Sequence, residues 1–437
     1  MAWKPEYLVL LLFSTSIDYF AARKLEKSND NRIRKILLAV SLTMNFSILG
    51  FFKYLNFFSA SVNDIFRTFN IFYEVPEFQI LLPVGISFYT LQAVSYTIDV
   101  YRRNLKAERN FFMFSLYITF FPQLVAGPIE RAGNLLPQLK QKVTFKYENI
   151  NAGLKIMFWG FFKKIVIADN FATYVRMIFD NPEYSKGLMV VVGLVFFSWQ
   201  IYCDFSGYSD IAVGAARMLG ITLMVNFRQP FLSQSYGEFW VNWHVSLSTW
   251  LRDYLFMPLS KTAFFRTRLS LALSLVFILS GLWHGASYTF VVWGALCALI
   301  VFVETKILKF IKFRNKKILK LKPVIFFRII LTFSAFTFCS AFFGAHKLSD
   351  AITLITNIFD TDYKIASVWF FGKPKFIYYL LLVVLLISVH LLEKNKSVND
   401  FISEKPSYIR YPVYYIFIIL FLTTGNFGLT EFYYFRF

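Results

Sequence analysis

The chain has 437 residues, 57% of them hydrophobic and 16% charged, and its 46 Lys and Arg against 26 Asp and Glu give a formal net charge of +20. Soluble domains are roughly half apolar and about a quarter charged, and one water-soluble core would leave much of this apolar surface exposed. A soluble globular protein is therefore excluded, because the apolar residues fall in runs near the roughly 20 residues that span a bilayer, with Lys and Arg clustered between them.

The first run extends from Glu6 to Phe20 with Asp18 inside it and only Lys4 as a basic residue ahead. It lacks the positive start and small-residue exit of a cleaved signal, so it reads as an uncleaved span. Further spans are expected at about 36–58, 78–100, 111–127, 187–203, 267–283, 287–305, 325–344, 376–392 and 410–425, with polar-interrupted helices near 150–180 and 205–220. The expected fold class is an all-α, polytopic membrane protein with about 10 to 12 membrane-embedded helices by the span-length rule. No extramembrane stretch is long enough for a second folded domain, so residues 1–437 read as one domain.

Orientation follows from the loops. Arg23, Lys24, Lys27, Arg32, Arg34 and Lys35 follow the first span, and eight Lys and Arg lie between Lys306 and Lys322. Both loops are assigned to the cytoplasm. The Trp283-His284-Gly285 turn then lies towards the outside. Charge concentrated this way is accounted for by topology and by membrane lipids, and no nucleic-acid partner is implied. Over about 234–258, Trp240, Trp243, Leu247, Trp250, Leu251 and Tyr254 recur at helical spacing, which predicts one amphipathic helix lying in the inner interface.

Cys203, Cys297 and Cys339 are odd in number and lack C-x-x-C spacing, so neither a disulfide frame nor a metal site is expected. There is no nucleotide-binding glycine loop, no H-E-x-x-H and no G-x-S-x-G. Of the four histidines, His346 and His390 end apolar runs and read as snorkelling or capping residues. His284, flanked by Gly281 and Gly285 between two spans, is an ionisable group at membrane depth and a functional candidate. His244 sits among tryptophans, where packing is the competing reading. Asp204-Phe205-Ser206-Gly207-Tyr208-Ser209-Asp210 and the turn from Phe121 to Arg131 read as cavity linings, the second as a re-entrant turn broken at Gly127-Pro128. The structural alternative is that Asp204, Asp210 and Arg217 pair with one another or with nearby cations. A transporter or channel is the alternative of another class, supported by the charges at Asp99, Asp169, Asp204, Asp210 and Arg217 and opposed by the lack of visible repeats.

Phe239-Trp240-Val241-Asn242-Trp243-His244 through Leu255, followed about 40 residues on by Gly281-Leu282-Trp283-His284-Gly285-Ala286, resembles the membrane-bound O-acyltransferase family. The likeness is to its bacterial branch of alginate O-acetyltransferase components and teichoic acid D-alanyl transferases. Pro83 to Tyr89, Ala126 to Ile129, Asp204 to Asp210 and the terminal Tyr433 to Phe437 share it, with a motif core over about 80–300. Val241 and Asn242 stand where the branch commonly has a basic residue.

The resemblance implies a helical rim around a thinned core with a transmembrane tunnel, in the bacterial cytoplasmic membrane. It implies no bound cofactor. A thioester co-substrate, acetyl-CoA or an acyl carrier protein, would enter at the cytoplasmic face, and a surface polysaccharide or peptidoglycan hydroxyl would accept the acyl group, directly or through an extracytoplasmic transferase partner. D-alanyl transfer to teichoic acid remains open beside acetyl transfer. His284 would be the base and His244 would orient or polarise the thioester. Asn242, Trp243, Asp204, Ser209, Asp210 and Trp283 are the accompanying substrate-binding candidates. Direct attack by the acceptor is favoured over an acyl-enzyme, because no residue beside His284 compels a covalent intermediate.

Overall fold

The computed structural model describes residues 6–78, 80–315, 317–360, 372–393, 398–428 and 432–433, and every regular element among them is helical. The readings that fall on the side chains of Lys312, Arg314 and Lys316 and on Tyr434 to Phe437 lie outside the described residues. The chain divides into two compact units, residues 1–147 with 219–224 and residues 148–218 with 225–437.

The first unit holds α1 (Glu6–Lys27), α2 (Asn31–Leu49), α3 (Leu55–Thr68), α4 (Ile86–Tyr101), α5 (Phe111–Thr119), α6 (Phe121–Leu124) and α7 (Ala132–Lys140). Asp30 starts α2 by accepting the Arg32 N–H at 2.7 Å, which satisfies one of the donors every helix start leaves open. A π turn at Gly50–Tyr54 joins α2 to α3 into one apolar rod over 31–68. Asp18 is fully buried in α1, where Ser41 donates to it at 2.5 Å and Asn45 at 2.9 Å.

Two expected spans are shorter than their apolar runs. The run from 78 becomes helical only at Ile86, because Gly85 takes φ +79° and its Cα lies against the Leu124 carbonyl, where a Cβ would not fit. The run from 111 stops at Thr119 and again at Leu124, ahead of Gly127-Pro128. The turn that follows is closed on itself. Glu130, 1% exposed, accepts from the Asn134 amide at 2.7 Å and from the Met224 N–H, while the Tyr117 hydroxyl donates to its carbonyl at 3.1 Å.

The second unit holds α8 (Tyr147–Phe161), α9 (Asp169–Asp180), α10 (Leu188–Met218), α11 (Tyr236–Asn242), α12 (Val245–Leu251), α13 (Met257–Ser260), α14 (Leu269–His284), α15 (Tyr288–Asn315), α16 (Lys322–Gly344), α17 (Leu348–Asn357), α18 (Lys373–Glu393), α19 (Val398–Ser403) and α20 (Ser407–Thr424). The helix expected over 205–220 is the second half of α10. Six described helices are long and apolar enough to cross a membrane: 31–68, α10, α15, α16, α18 and α20, with α14 a shorter apolar helix. Leu381, Val384 and Leu391 of α18 and Ile416, Ile419 and Leu422 of α20 are exposed. Such surface suits lipid and would be untenable in water.

The continuous helix expected over 234–258 is corrected by the structure. It breaks at Trp243-His244, where His244 takes the left-handed conformation with φ +46°, and continues through α12, a π turn at Arg252–Phe256 and α13. The break is held by two backbone bonds, Arg228 N–H to the Asn242 carbonyl and Val245 N–H to the Asn226 carbonyl, both at 2.9 Å. His390 is also not a snorkelling residue. It is 1% exposed and 2.9 Å from the Tyr202 hydroxyl. His346 is exposed and faces Asp180 at 3.3 Å.

The packing that organises this unit is a glycine seam between α8 and α10. A Cβ on Gly160 or Gly207 would strike the other's carbonyl, and the same holds for Gly153 and Gly214. The pairing runs backwards along α10 as it runs forwards along α8, so the two helices are antiparallel and in backbone contact. A π turn at Phe162–Ala168 follows α8, and its extra residue lets two consecutive lysines reach α10. Lys163 pairs with Asp210 at 2.8 Å and donates to Ser206 at 2.9 Å, and Lys164 bridges Asp204 at 2.7 Å and Asp169 at 2.8 Å. Arg217 is exposed and stands outside this network.

Gly207→Leu should force the two backbones apart at a cost of about 1–3 kcal/mol or more and strip the protein of its monodisperse peak in detergent size-exclusion chromatography. Gly133→Ala, whose added methyl meets open space, should leave the peak intact and gain up to about 1 kcal/mol of helix propensity.

Candidate active site

His284 is the last residue of α14, and α14 is closed against α15 because Gly281 lies on the Phe290 carbonyl and Gly294 on the Phe277 carbonyl. This hairpin presents the imidazole, 5% exposed, to a narrow cavity lined by Ile201, Trp243, Trp293, Phe336, Ser340 and Phe343. The ring is 5.0 Å from Trp283, 5.4 Å from Trp293 and 5.4 Å from Phe343, centroid to centroid. A titratable group with aromatic walls on several sides works in a low dielectric, where each hydrogen bond and charge counts for more than in water.

His244 is reached across Trp283, which lies 5.0 Å from the His284 ring and 6.2 Å from the His244 ring. The left-handed backbone at His244 is sparsely populated by residues other than glycine and asparagine and marks a position held by its surroundings. Its Nδ1 lies 3.2 Å from Asn226 Oδ1, and that oxygen also accepts the Ser246 N–H at 3.2 Å and the Ser246 hydroxyl at 2.9 Å. A backbone N–H can only donate, so the atom facing it is the amide oxygen. His244 Nδ1 therefore carries the proton and donates to Asn226. Nε2 is then the acceptor nitrogen of the ring. Burial pushes the His244 pKa down to about 3, so the imidazole is neutral.

The other expected residues divide. Trp243 lines the His284 cavity, Trp283 separates the two histidines, and Ser209 accepts from the Asn226 amide at 3.2 Å, which ties it to His244. Asp204, which also accepts the Tyr433 N–H at 2.7 Å, lines a neighbouring larger chamber of about 490 Å³. Asn242 donates to Ser233 at 3.1 Å and Asp210 pairs with Lys163, and neither lines either cavity. The aromatic segment is anchored to α15, because Glu304 accepts the Tyr236 N–H at 2.8 Å at the start of α11.

Sequence reading passed over Asn226, Trp293, Gln200 and the lysine pair. Lys163 and Lys164 carried a usable signal, two adjacent cations inside an apolar run. Asn226, in a polar loop, carried none. No group of His, Cys, Asp and Glu able to hold a metal ion occurs among the described residues.

Residues 105–345 match the model of MBOAT, the membrane-bound O-acyltransferase family. The chain is 33% identical over 382 residues to a peptidoglycan O-acetyltransferase of Helicobacter pylori, covering 82% of this chain and 71% of that protein. It is 38% identical over 298 residues to a probable alginate O-acetylase AlgI of Pseudomonas aeruginosa, covering 67% of this chain and 56% of that protein. It is 30% identical over 236 residues to a teichoic acid D-alanyltransferase of Bacillus subtilis, covering 52% of this chain and 60% of that protein. The chain thus spans somewhat more than half the length of the alginate and teichoic acid relatives. The matched stretch carries both histidines and every residue that lines the His284 cavity, and the chain belongs to the membrane-bound O-acyltransferase family.

Proposed function

We propose that this chain is a membrane-bound O-acyltransferase that passes an acetyl group from a cytoplasmic thioester, acetyl-CoA or an acyl carrier protein, to a hydroxyl on a cell-surface polysaccharide or peptidoglycan. The observation that carries the reading is the His284 imidazole at the end of α14, facing a narrow aromatic cavity with Trp243 and Trp293 in its walls. Acyl transfer to an alcohol needs a base at the hydroxyl, and histidine titrates where it can take and return a proton near neutrality. The relatives named for peptidoglycan and alginate acetylation support the acetyl group and the glycan acceptor.

His284 removes the hydroxyl proton and the oxygen attacks the thioester directly. His244, neutral and with its N–H engaged by Asn226, offers an acceptor and not a donor at Nε2. Its role is therefore to orient a donor group of the thioester arm. The rim of helices includes the membrane-length helices and shorter embedded pieces such as α14, about 10 to 12 in all by the span-length rule, around a thin centre crossed by a tunnel. The protein sits in the bacterial cytoplasmic membrane, with an extracytoplasmic transferase as its partner where the acyl group is relayed. The transport reading loses support, since Asp169, Asp204 and Asp210 are taken up by Lys163 and Lys164.

His284→Ala should lower acyl transfer by about 10² to 10⁴ while membrane insertion and the size-exclusion profile stay unchanged. Label from radioactive acetyl-CoA followed onto a glycan acceptor measures this, and full activity would refute the base. Asn226→Leu leaves the His244 N–H without its acceptor, a loss of about 1–3 kcal/mol, so transfer should fall roughly 10- to 100-fold. Asn226→Asp, which keeps the acceptor oxygen, should recover most of it.

A further inference from the structure

Acyl transfer at His284 requires the cavity it faces to take up the group being transferred, so the size and chemistry of that cavity select the acyl group. The free space within its lining is about 10 Å³, and a cavity needs roughly 10–15 Å³ to hold one water. It therefore admits one group of about the size of a water or a methyl. The walls have little room to retreat. Ile201 on α10 and Phe336 on α16 are each 3% exposed. Phe336 is backed by Trp243 at 5.0 Å and Phe239 at 4.7 Å, and Phe343 by Trp293 at 5.2 Å and Phe290 at 5.1 Å, centroid to centroid. In packing of this density an added methylene must displace side chains or backbone.

The lining also discriminates by charge. Among the described residues that form it there is no carboxylate, and its one hydroxyl, Ser340, already donates to the Thr337 carbonyl at 2.6 Å. Asp204 and Asp210, on the same helix as Ile201, are engaged by Lys164 and Lys163. An ammonium carried into the cavity would exchange its water for a single neutral acceptor, the Ser340 oxygen. It would also stand beside the imidazole that must become positive when it accepts the hydroxyl proton, and a like charge opposes that step.

We propose that Ile201, Phe336 and Phe343 form a methyl pocket that fixes the transferred group as acetyl, rejecting longer acyl chains by volume and amino-acyl groups such as D-alanyl by charge. The proposal rests on His284 as the base of the acyl transfer. With the methyl seated, the thioester carbonyl carbon stands at the edge of the pocket towards His284. The acceptor hydroxyl gives its proton to His284 while its oxygen bonds to that carbon. The C–S bond breaks, and the leaving thiolate takes the proton back, so an acetyl ester and a free thiol are formed. Ile201 and Phe336 thus decide which acyl group reacts and take no part in the bond changes.

The test uses the full chain in lipid nanodiscs and synthetic acetyl, propionyl, butyryl and glycyl thioesters, each on coenzyme A and on phosphopantetheine. Glycyl and propionyl match in size and differ in the ammonium, which is charged at about pH 6, below the roughly 7.7–8.0 of an α-amino group. Competition against radiolabelled acetyl thioester is measured on His284→Gln, which nearly keeps the volume of the ring, so that binding is read apart from catalysis. Acetyl should bind about 10- to 200-fold more tightly than propionyl, the range one methylene spans in a tight pocket, with butyryl weaker still. Glycyl should bind at least about tenfold more weakly than propionyl, because its charge is buried unpaired. Ile201→Ala and, separately, Phe336→Leu in the same background should narrow the acetyl-to-butyryl ratio several-fold and leave the glycyl-to-propionyl ratio in place. Equal affinity for acetyl and butyryl, equal affinity for glycyl and propionyl, a butyryl ratio unmoved by both substitutions, or no binding of acetyl on either carrier overturns the pocket. Acetyl transfer persisting in His284→Gln refutes the base alone, and the order of affinities then stands on the binding data.

Discussion

The approach of α8 to α10 is the constraint from which the second unit is built. Gly153 and Gly160 meet Gly214 and Gly207 with no side chain between the backbones. That spacing, with the π turn after α8, lets Lys163 and Lys164 reach carboxylates that would be costly to bury alone. A buried cation and its partners cost least when the geometry is fixed before they meet, and glycine contacts fix it. One helix then serves several ends. Along α10, Gln200 and Asp204 line the chamber, Ile201 walls the His284 cavity, and Ser209 holds Asn226 behind His244.

The two histidines are held by opposite means. His284 sits at the end of a regular helix and owes its place to the closeness of α14 and α15. His244 sits in a break that the chain maintains against its own preference, with a left-handed backbone, two bracing backbone bonds and an amide that dictates its tautomer. Trp283 stands between them, its ring 5.0 Å from His284 and 6.2 Å from His244. Such an arrangement suits a reaction in which one ring must exchange a proton and the other must not.

How much was legible beforehand varied with the kind of signal. Helical character and the long apolar helices followed from run length, and His284 from its place between two spans. Trp243 lines the His284 cavity and Trp283 lies 5.0 Å from the His284 ring. The even amphipathic periodicity of 234–258 misled, because periodicity reports which residues are apolar and is blind to a single left-handed residue that turns the face around. Asp210 and Asn242 line neither the His284 cavity nor the larger chamber. Their neighbours in sequence lie at the site, while their own side chains are committed to Lys163 and Ser233.

Composition and run length by themselves determined a helical chain with apolar runs of membrane length, and the Trp-His motifs carried the resemblance to the family, because these properties are local or additive along the chain. Only the tertiary structure decided which polar groups share a cavity. Asn226 behind His244, Tyr433 against Asp204, and Phe343 beside His284 each bring together different elements of the chain. Their meeting depends on backbone approach and helix breaks, which no local pattern encodes.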